Sequence, residues 1–377
     1  MKSNIDILND LVAIRTDATT NKEYVDYICK ILDKYNMQYI RIKNDSNNLE
    51  SLIFGINCNL KNLSRAIILS GHIDTVTTNE SLWKTYPYSL TIENDKCYGL
   101  GVCDMKNFTA NILANLEKLK NLSKKPLIVC LSSDEETVME GINKIIDKLK
   151  ELNIKPEFTL IGEPSNDSPS NCNKGFFEFE TQVIGKACHS STPQNGINSI
   201  IIMAKIIDKI NSVTKTLSED TTLNIGVIKG GNLCNVVPDK CTLRFEMRTF
   251  KQKEVNSVTK ILKEYFILLE KEFLGCKITN NLVFQIPVFE KQTNCYTKAI
   301  EKYLGKKSTI YNAATEAGFY QSLGSYALIY GVGNIKFAHS IDEEIELKHF
   351  NDYQNELFSI IKLLNNWHFL KKYLNTL

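Results

Sequence analysis

The chain has 377 residues, with 45 basic and 43 acidic side chains and a formal net charge of +2. Its length predicts two domains rather than one, and its 43% hydrophobic and 23% charged residues indicate a folded globular protein. The near-neutral charge, without a basic block, argues against nucleic acid and membrane surfaces as partners.

The opening residues, MKSNIDILNDLVAI, predict an amphipathic helix. They lack the long apolar stretch of a signal peptide, and no apolar segment of the sequence is long enough to span a bilayer. The 11 cysteines are scattered without a CxxC pair. That pattern favours reduced thiols over a disulfide framework or a cysteine-rich metal site. We therefore expect a cytoplasmic protein.

Short apolar runs rich in β-branched residues alternate with helical patterns in the first and last parts of the chain. The runs predict strands at residues 66–69, 127–131, 158–161 and 326–330, and the periodic stretches predict helices at 109–119 and 137–152. Near-continuous apolar strands indicate a mostly parallel sheet with helices on both faces. The polar segments SGHID, SSDEE and GEPS follow three of these strands, where sites form in such sheets.

The middle of the sequence predicts a unit of another kind. Its elements are expected to be a strand at 176–184, a helix at 195–210, strands at 222–228 and 240–248, a helix at 254–269 and a strand at 276–284. This is the β-α-β-β-α-β order of a ferredoxin-like α+β domain. We therefore expect an α/β catalytic domain in two parts, 1–174 and 287–377, interrupted by an inserted domain at 175–286. A long amphipathic helix, at about 347–374, should close the chain.

Two of the five histidines follow strands and lie near carboxylates: His72 in GHID and His339 in AHS. Alternate side chains of an extended segment share a face, so His72 and Asp74 should point the same way. Asp74 could then accept an imidazole N–H and fix the tautomer that a metal ligand needs. An ordinary histidine beside a loop aspartate explains the same pattern.

More carboxylates lie in glycine-rich or post-strand loops: Asp104 in YGLGVCDMK, Glu135 and Glu136 in SSDEET, and Glu163 in IGEPS. Each could be a helix N-cap or a first-turn acid. Together they exceed what helix capping needs, and divalent cations would offset their charge. Carboxylate and imidazole ligands without thiolates suit zinc, cobalt or manganese.

Eight segments carry a resemblance to a known family. In chain order they are SGHIDTV, YGLGVCDMKN, KKPLIVCLSSDEET, IGEPS, GKACHSSTP, CNVVPD, ATEAGF and AHSIDEE. With these segments the sequence resembles the acetylornithine deacetylase and succinyl-diaminopimelate desuccinylase branch of the co-catalytic zinc aminoacylase and carboxypeptidase family. The resemblance covers nearly the whole chain, and LGVCDMK, SSDEET and TEAGF are most similar to the acetylornithine deacetylases.

The resemblance implies a set of ligands for two divalent ions, which would be zinc or cobalt. Asp104 would bridge both ions. His72 and Glu163 would complete one site, and Glu136 and His339 would complete the other.

The resemblance also implies the catalytic groups. Glu135 would take a proton from the attacking water and return it to the leaving amine, while Asp74 would support His72. His189, from the inserted domain, would help to stabilise the oxyanion across a homodimer interface, so the inserted domain would serve as a dimerisation or lid domain. The peptide bond after Asp104 would be cis.

Three residues are candidates for binding the substrate. Arg248, at the end of LRFEMR, would pair with the substrate carboxylate, although a surface arginine at a strand edge fits the same pattern. Asn235 in CNVVPD would be a further polar contact, and Glu316 in ATEAG could bind the side-chain ammonium of an ornithine-like substrate. The implied reaction is deacylation of an N-acyl amino acid, with N2-acetyl-L-ornithine as the expected substrate and arginine biosynthesis as the expected setting.

The sequence departs from the family's pattern at four places. SGHIDTVTT lacks a proline, Asn107 stands where the family usually has glycine, and Gly318 and Ile341 replace prolines. None is a predicted ligand, so these departures bear on loop geometry and substrate fit.

Other functions remain open at this point. A succinyl-diaminopimelate desuccinylase, an acetylcitrulline deacetylase or a dipeptidase would have the same fold, and a metal-free binding homologue would be a different class of protein. A nucleotide-dependent oxidoreductase is disfavoured, because the glycines at 99 and 101 lack the third glycine of a dinucleotide fingerprint.

Overall fold

The structure, a computed structural model, describes residues 2–17 and 20–365. Its α-helices in chain order are α1 (Asn4–Ala13), α2 (Lys22–Lys34), α3 (Lys106–Ala114), α4 (Leu116–Leu122), α5 (Glu140–Glu151), α6 (Ser199–Thr214), α7 (Gln252–Glu272), α8 (Cys295–Leu304), α9 (Ala317–Ser322) and α10 (Leu347–Asn365). Short 3-10 helices lie at Glu80–Leu82, Pro193–Asn195 and Ile335–Phe337.

The strands in chain order are β1 (Tyr39–Lys43), β2 (Glu50–Gly55), β3 (Ser64–His72), β4 (Thr91–Glu93), β5 (Lys96–Tyr98), β6 (Leu127–Ser132), β7 (Lys155–Pro164), β8 (Ser170–Asn173), β9 (Gly175–Ile184), β10 (Cys188–His189), β11 (Thr222–Gly230), β12 (Val236–Val237), β13 (Lys240–Thr249), β14 (Lys277–Ile286), β15 (Thr309–Tyr311), β16 (Tyr326–Gly331) and β17 (Glu344–Glu346). The strands predicted from apolar runs all form.

The larger compact unit takes its described residues from Met1–Cys172, Lys291–Tyr311 and Thr315–Leu377. Its main sheet has the strand order β1-β2-β6-β3-β7-β16-β8-β15. The central strands β6, β3, β7 and β16 pair in parallel, whereas β1 and β2 add antiparallel strands at one edge. The predicted α/β class with a mostly parallel sheet is confirmed.

Helices cover both faces of this sheet. The apolar cluster on one face contains buried side chains of α1, α2, α3, α8 and α10, while α5 and α9 contact each other and the sheet on the other face. Helix α5 shows why its sequence folds this way. Ile142, Ile145 and Leu149 recur at helical spacing and are buried, which leaves the lysines of α5 on its outer side.

Several predicted helices differ from those observed. The helix predicted at 195–210 begins at Ser199, because the Asn198 side chain accepts the N–H groups of Ile200 and Ile201 there. The helix predicted at 109–119 is two helices, because Asn115 leaves the helical conformation between α3 and α4. Helix α5 begins at Glu140 rather than 137, because the Asp134 carboxylate accepts the N–H groups of Glu140 and Gly141. The final helix is described to Asn365, and the remainder of the prediction, with His368, lies outside the described residues.

The smaller compact unit comprises Asn173–Glu290 with Asn312–Ala314. Its sheet has the order β11-β13-β9-β14, with antiparallel pairing throughout, and α6 and α7 pack against it. The rings of Phe179 and Phe245 stack in its core, with centroids 5.1 Å apart. This is the predicted ferredoxin-like arrangement, while the domain boundaries at 174/175 and 286/287 stay predictions.

Two further sequence expectations concern thiols and membranes. The cysteines are free thiols throughout the described ranges. Within the same ranges, no helix has both the length and the apolar character that crossing a membrane requires.

Candidate metal centre

The first group of candidate ligands lies at the ends of two adjacent parallel strands. Ser70 of β3 is opposite Ile161 of β7, so His72 and Glu163, each two residues further along, lie next to each other on one face. His72 Nε2 lies 2.9 Å from Asp104 Oδ1 and 3.8 Å from Glu163 Oε1. These three residues each offer one ligand atom, and the atoms lie within 4.8 Å of one another.

Glycines immediately before two of these ligands allow α3 to pack closely on the sheet. A Cβ at Gly162 would lie 2.2 Å from Cγ of Phe108, and one at Gly71 would lie 3.1 Å from Cδ1 of the same ring. The Phe108 ring is buried in the core of the larger unit. The sequences GH and GE therefore combine a ligand with the space that the neighbouring helix needs.

The second group shares Asp104 with the first. His339 Nε2 lies 2.6 Å from Glu136 Oε1 and 3.4 Å from Asp104 Oδ2, and the candidate ligand atoms of these three residues also lie within 4.8 Å of one another. Asp104 thus directs Oδ1 towards His72 and Oδ2 towards His339. One carboxylate joins two clusters that each have carboxylate and imidazole donors.

Asp74 connects His72 with the loop that follows β6. Its carboxylate accepts the backbone N–H groups of Glu135 and Glu136 at 3.1 and 3.0 Å. His72 Nδ1 lies 3.0 Å from the carbonyl oxygen of Asp74 and 3.4 Å from its carboxylate. The nearer acceptor for the imidazole is therefore the main chain of Asp74. Sequence reasoning placed Asp74 beside His72 but missed its contacts with the Glu135 loop.

The loop before α3 has two notable features. The peptide bond between Asp104 and Met105 is cis, as the family resemblance implied. The buried carboxylate of Glu343 accepts the N–H groups of Gly101, Cys103 and Asp104. Sequence reasoning did not single out Glu343, although its place in AHSIDEE, four residues after His339, was an available signal.

The electrostatics of the site indicate cation binding. Burial raises the pKa of Glu135 and of Glu163 well above the usual value, and neighbouring carboxylates raise both further. Burial also raises the pKa of Glu136. Hydrogen bonds with Asp104 and Glu136 raise the pKa of His339 to about 10. Buried carboxylates at this density are costly unless a cation offsets them, and their combination with imidazoles fits two divalent ions of the zinc type.

Glu316 belongs to neither ligand group and lies within the larger unit. It is 1% exposed, and its Oε2 accepts a hydrogen bond of 2.7 Å from the Ser70 hydroxyl. Burial raises its pKa to about 7. The carboxylate is thus enclosed beside β3 in this structure, and its predicted contact with a substrate ammonium stays a prediction.

Three predicted site residues lie in the smaller unit. His189 is exposed, with Nδ1 2.7 Å from the Ser191 hydroxyl. Arg248 is half exposed and donates from Nε to Glu246 at 3.2 Å. Asn235 is also exposed. Their predicted roles towards the substrate stay predictions.

Comparison with known proteins yields one family. The model of peptidase family M20/M25/M40 matches residues 68–362. An acetylornithine deacetylase of Buchnera aphidicola subsp. Schizaphis graminum is 33% identical over 355 residues, which are 91% of this chain and 91% of the relative. Another acetylornithine deacetylase, of Photorhabdus laumondii, is 33% identical over 294 residues, 74% of this chain and 75% of the relative.

Solved structures share the fold. A tripeptidase from Staphylococcus aureus has a TM-score of 0.71 at 21% identity, covering 96% of this chain and 98% of its own. A dinuclear metal-binding peptidase from Bacillus subtilis has a TM-score of 0.69 at 14% identity, again covering 96% and 98%.

The fold, the two ligand groups and the relatives together define a metal-dependent amidohydrolase of the two-metal type. The family match extends through most of the chain and includes every candidate ligand. The chain belongs to peptidase family M20/M25/M40. The predicted enzyme class and family resemblance are therefore confirmed.

Proposed function

We propose that this chain removes the acetyl group from N2-acetyl-L-ornithine, releasing L-ornithine and acetate for arginine biosynthesis in the cytoplasm. The relatives named acetylornithine deacetylase, one of them similar over 91% of the chain, support this substrate. The observation that carries the hydrolytic mechanism is the Asp104 carboxylate, whose two oxygens face His72 and His339 respectively.

The proposed ions are zinc, with cobalt as an alternative. His72, Asp104 and Glu163 would hold one ion, and Asp104, Glu136 and His339 would hold the other. When bound, such a pair of ions lowers the pKa of water towards neutrality and polarises the carbonyl of the substrate.

Glu135 is the proposed general base. It lies outside both ligand groups, and its raised pKa suits a carboxyl group that holds a proton between two steps. Glu135 takes a proton from the attacking water as the water oxygen bonds to the acetyl carbon. It then gives that proton to the ornithine nitrogen as the C–N bond breaks. Asp74 orients Glu135 by accepting its backbone N–H.

The substrate contacts are proposed from the resemblance. Arg248 and Asn235 would bind the α-carboxylate, and Glu316 would bind the side-chain ammonium. The guanidinium of Arg248 already contacts both carboxylate oxygens of Glu246, at 3.2 and 3.3 Å. A bidentate pair with the substrate would therefore have to replace or share that contact.

His189 is proposed to donate to the oxyanion in the active site of a second copy of the chain, within a homodimer. Two observations support this role. The His189 ring is exposed, so it is accessible to a second chain, and its hydrogen bond with Ser191 restrains its orientation. The test mixes inactive His189→Ala and Glu135→Ala proteins under conditions in which subunits exchange. Mixed dimers should regain one working site, whereas no recovery despite demonstrated exchange would refute action across the interface.

The substrate proposal is tested with metal content and a panel of amides. Chelation should abolish turnover, and zinc or cobalt should restore it. N2-acetyl-L-ornithine should have the highest kcat/KM among acetylornithine, acetylcitrulline, succinyl-diaminopimelate and dipeptides. Full turnover after verified metal removal would refute the mechanism, and a clear preference for another amide would refute the substrate.

A further inference from the structure

The loop that carries Asp104 is held by a buried side chain that the proposed mechanism does not use. Glu343 is 1% exposed. Its Oε1 accepts the N–H groups of Cys103 at 2.7 Å and Asp104 at 2.9 Å, and its Oε2 accepts that of Gly101 at 2.8 Å. Three N–H groups that point at one carboxylate leave this loop little freedom to move.

The main chain around Glu343 follows the same segment. The carbonyl oxygen of Glu343 accepts the N–H of Gly99 at 3.2 Å. The next residue, Glu344, begins β17 and lies opposite Tyr98 of β5 in an antiparallel pair. The chain from Glu343 to Glu346 therefore runs alongside residues 96–99, which lead to Asp104.

The carbonyl groups of the loop are held from the other side. The side-chain amide of Asn107 donates to the carbonyl oxygens of Val102 and Cys103, both at 2.9 Å, and Asn107 is fully buried. Gly101 has a φ of +83°, which a side chain would strain. Asn107 and Glu343 thus fix the same loop by its acceptors and its donors.

We propose that Glu343 is a positioning residue of the metal centre, which sets the Asp104 carboxylate relative to His339. The inference rests on the proposed metal ligands. Glu343 acts through the backbone of Asp104 and through the short chain that separates it from His339, so its loss would disturb the group that those two residues share with Glu136. Because Asp104 belongs to both groups, the ion proposed to be held with His72 and Glu163 would be affected as well.

The chemistry of the side chain explains why a carboxylate is required. A carboxylate presents only acceptors, whereas glutamine of the same shape presents an NH2 group on one side. In Glu343→Gln, that NH2 would face at least one of the three backbone N–H groups. The loop would have to shift or leave a buried donor unpaired.

Metal-free, full-length protein is titrated with Co²⁺ and with Zn²⁺. Ion affinity is measured by calorimetry, and for cobalt the visible spectrum of the bound ion is recorded as well. The variants are Glu343→Gln, Glu343→Asp and, as a matched control, Glu346→Gln, which changes an exposed carboxyl of β17. Wild type and Glu346→Gln should each bind two ions, and the affinity for each ion should be the same in both proteins. Glu343→Gln should bind at least one ion about 10- to 100-fold more weakly, with an altered cobalt spectrum, as is typical when a partner of a metal ligand is lost.

The possible outcomes separate the positioning role of Glu343 from the proposed function of the protein. A wild-type chain that binds no divalent ion refutes the proposed function itself. A folded Glu343→Gln variant with both affinities and the cobalt spectrum unchanged overturns the positioning role while the proposed function stands. Should Glu343→Gln fail to fold, Glu343→Asp is tested by the same criteria. Aspartate keeps the negative charge, but its side chain is shorter by one methylene group. If neither variant folds, Glu343 only stabilises the fold and the positioning role is refuted.

Discussion

Glu135 and Glu136 are adjacent in the sequence, yet the structure gives them different surroundings. Glu136 Oε1 lies 2.6 Å from His339 and belongs to the second ligand group. Glu135 belongs to neither group. We therefore expect Glu135→Gln to keep two bound ions and to lose turnover, because the change removes a proton acceptor and no ligand.

The size of the loss follows from the role of Glu135. Removal of a positioned general base lowers the rate by roughly 10²- to 10⁴-fold, which corresponds to about 2.7–5.4 kcal/mol of transition-state stabilisation. The hydrogen bond from the Glu135 N–H to Asp74, at 3.1 Å, comes from the backbone and survives the substitution. Both kcat and kcat/KM should therefore fall, while the affinity for substrate changes little.

The assay combines metal analysis of dialysed protein with steady-state turnover. Glu136→Gln is the matched comparison, since it makes the same chemical change one residue away. That variant should lose occupancy of one ion, and excess metal should restore part of its activity. The reasoning is refuted if Glu135→Gln loses an ion and Glu136→Gln keeps both, because the roles of the two residues would then be reversed.

Three further changes test the ligands, the ion pairs and the packing. Asp104→Ala should lower the content of both ions, measured by metal analysis, because both groups share this carboxylate. Glu157→Gln should lower the free energy of unfolding at pH 7 by about 1–3 kcal/mol, measured in urea, because it breaks the charge-assisted contact of 2.6 Å with the largely buried Lys125 and weakens the more exposed one of 3.0 Å with Arg65. Burial works against ionisation of Glu157, but its partners hold its pKa below 4.5, so this stability is present above pH 4.5 and is lost at lower pH. Gly162→Ala should lower the melting temperature, because its Cβ would lie 2.2 Å from the Phe108 ring.

Each of these changes has a contrary result. Two tightly bound ions in Asp104→Ala would show that the bridging assignment is wrong. A stability difference between wild type and Glu157→Gln that is as large at pH 3 as at pH 7 would contradict the ion-pair argument. Gly226→Ala is the control for Gly162→Ala, since its Cβ would lie 3.8 Å from the nearest atom, Nδ2 of Asn224. Equal melting temperatures for the two alanine variants would contradict the packing argument.

The sequence by itself determined the central strands of the larger sheet, the order of elements in the inserted domain and the residue types of the site. The apolar runs that predict β3, β6, β7 and β16 are buried strands in the structure, because a strand covered on both faces has to be apolar along its length. The polar segments after these strands supplied the candidate ligands, because polar side chains are accommodated where a strand leaves the core. Such patterns can be recognised from a few neighbouring residues in the sequence.

Only the tertiary structure decided which of these segments meet. Glu136 and His339 are 203 positions apart in the sequence, yet the Glu136 carboxylate and the His339 imidazole lie 2.6 Å apart. Asn115 divides a predicted helix. Glu343, which the AHSIDEE segment places near His339 in the sequence, holds the Asp104 loop through hydrogen bonds to backbone N–H groups that the sequence did not indicate. Hydrogen bonds to the backbone depend on the order of strands and the course of loops. Residue type and spacing along the chain therefore cannot specify them.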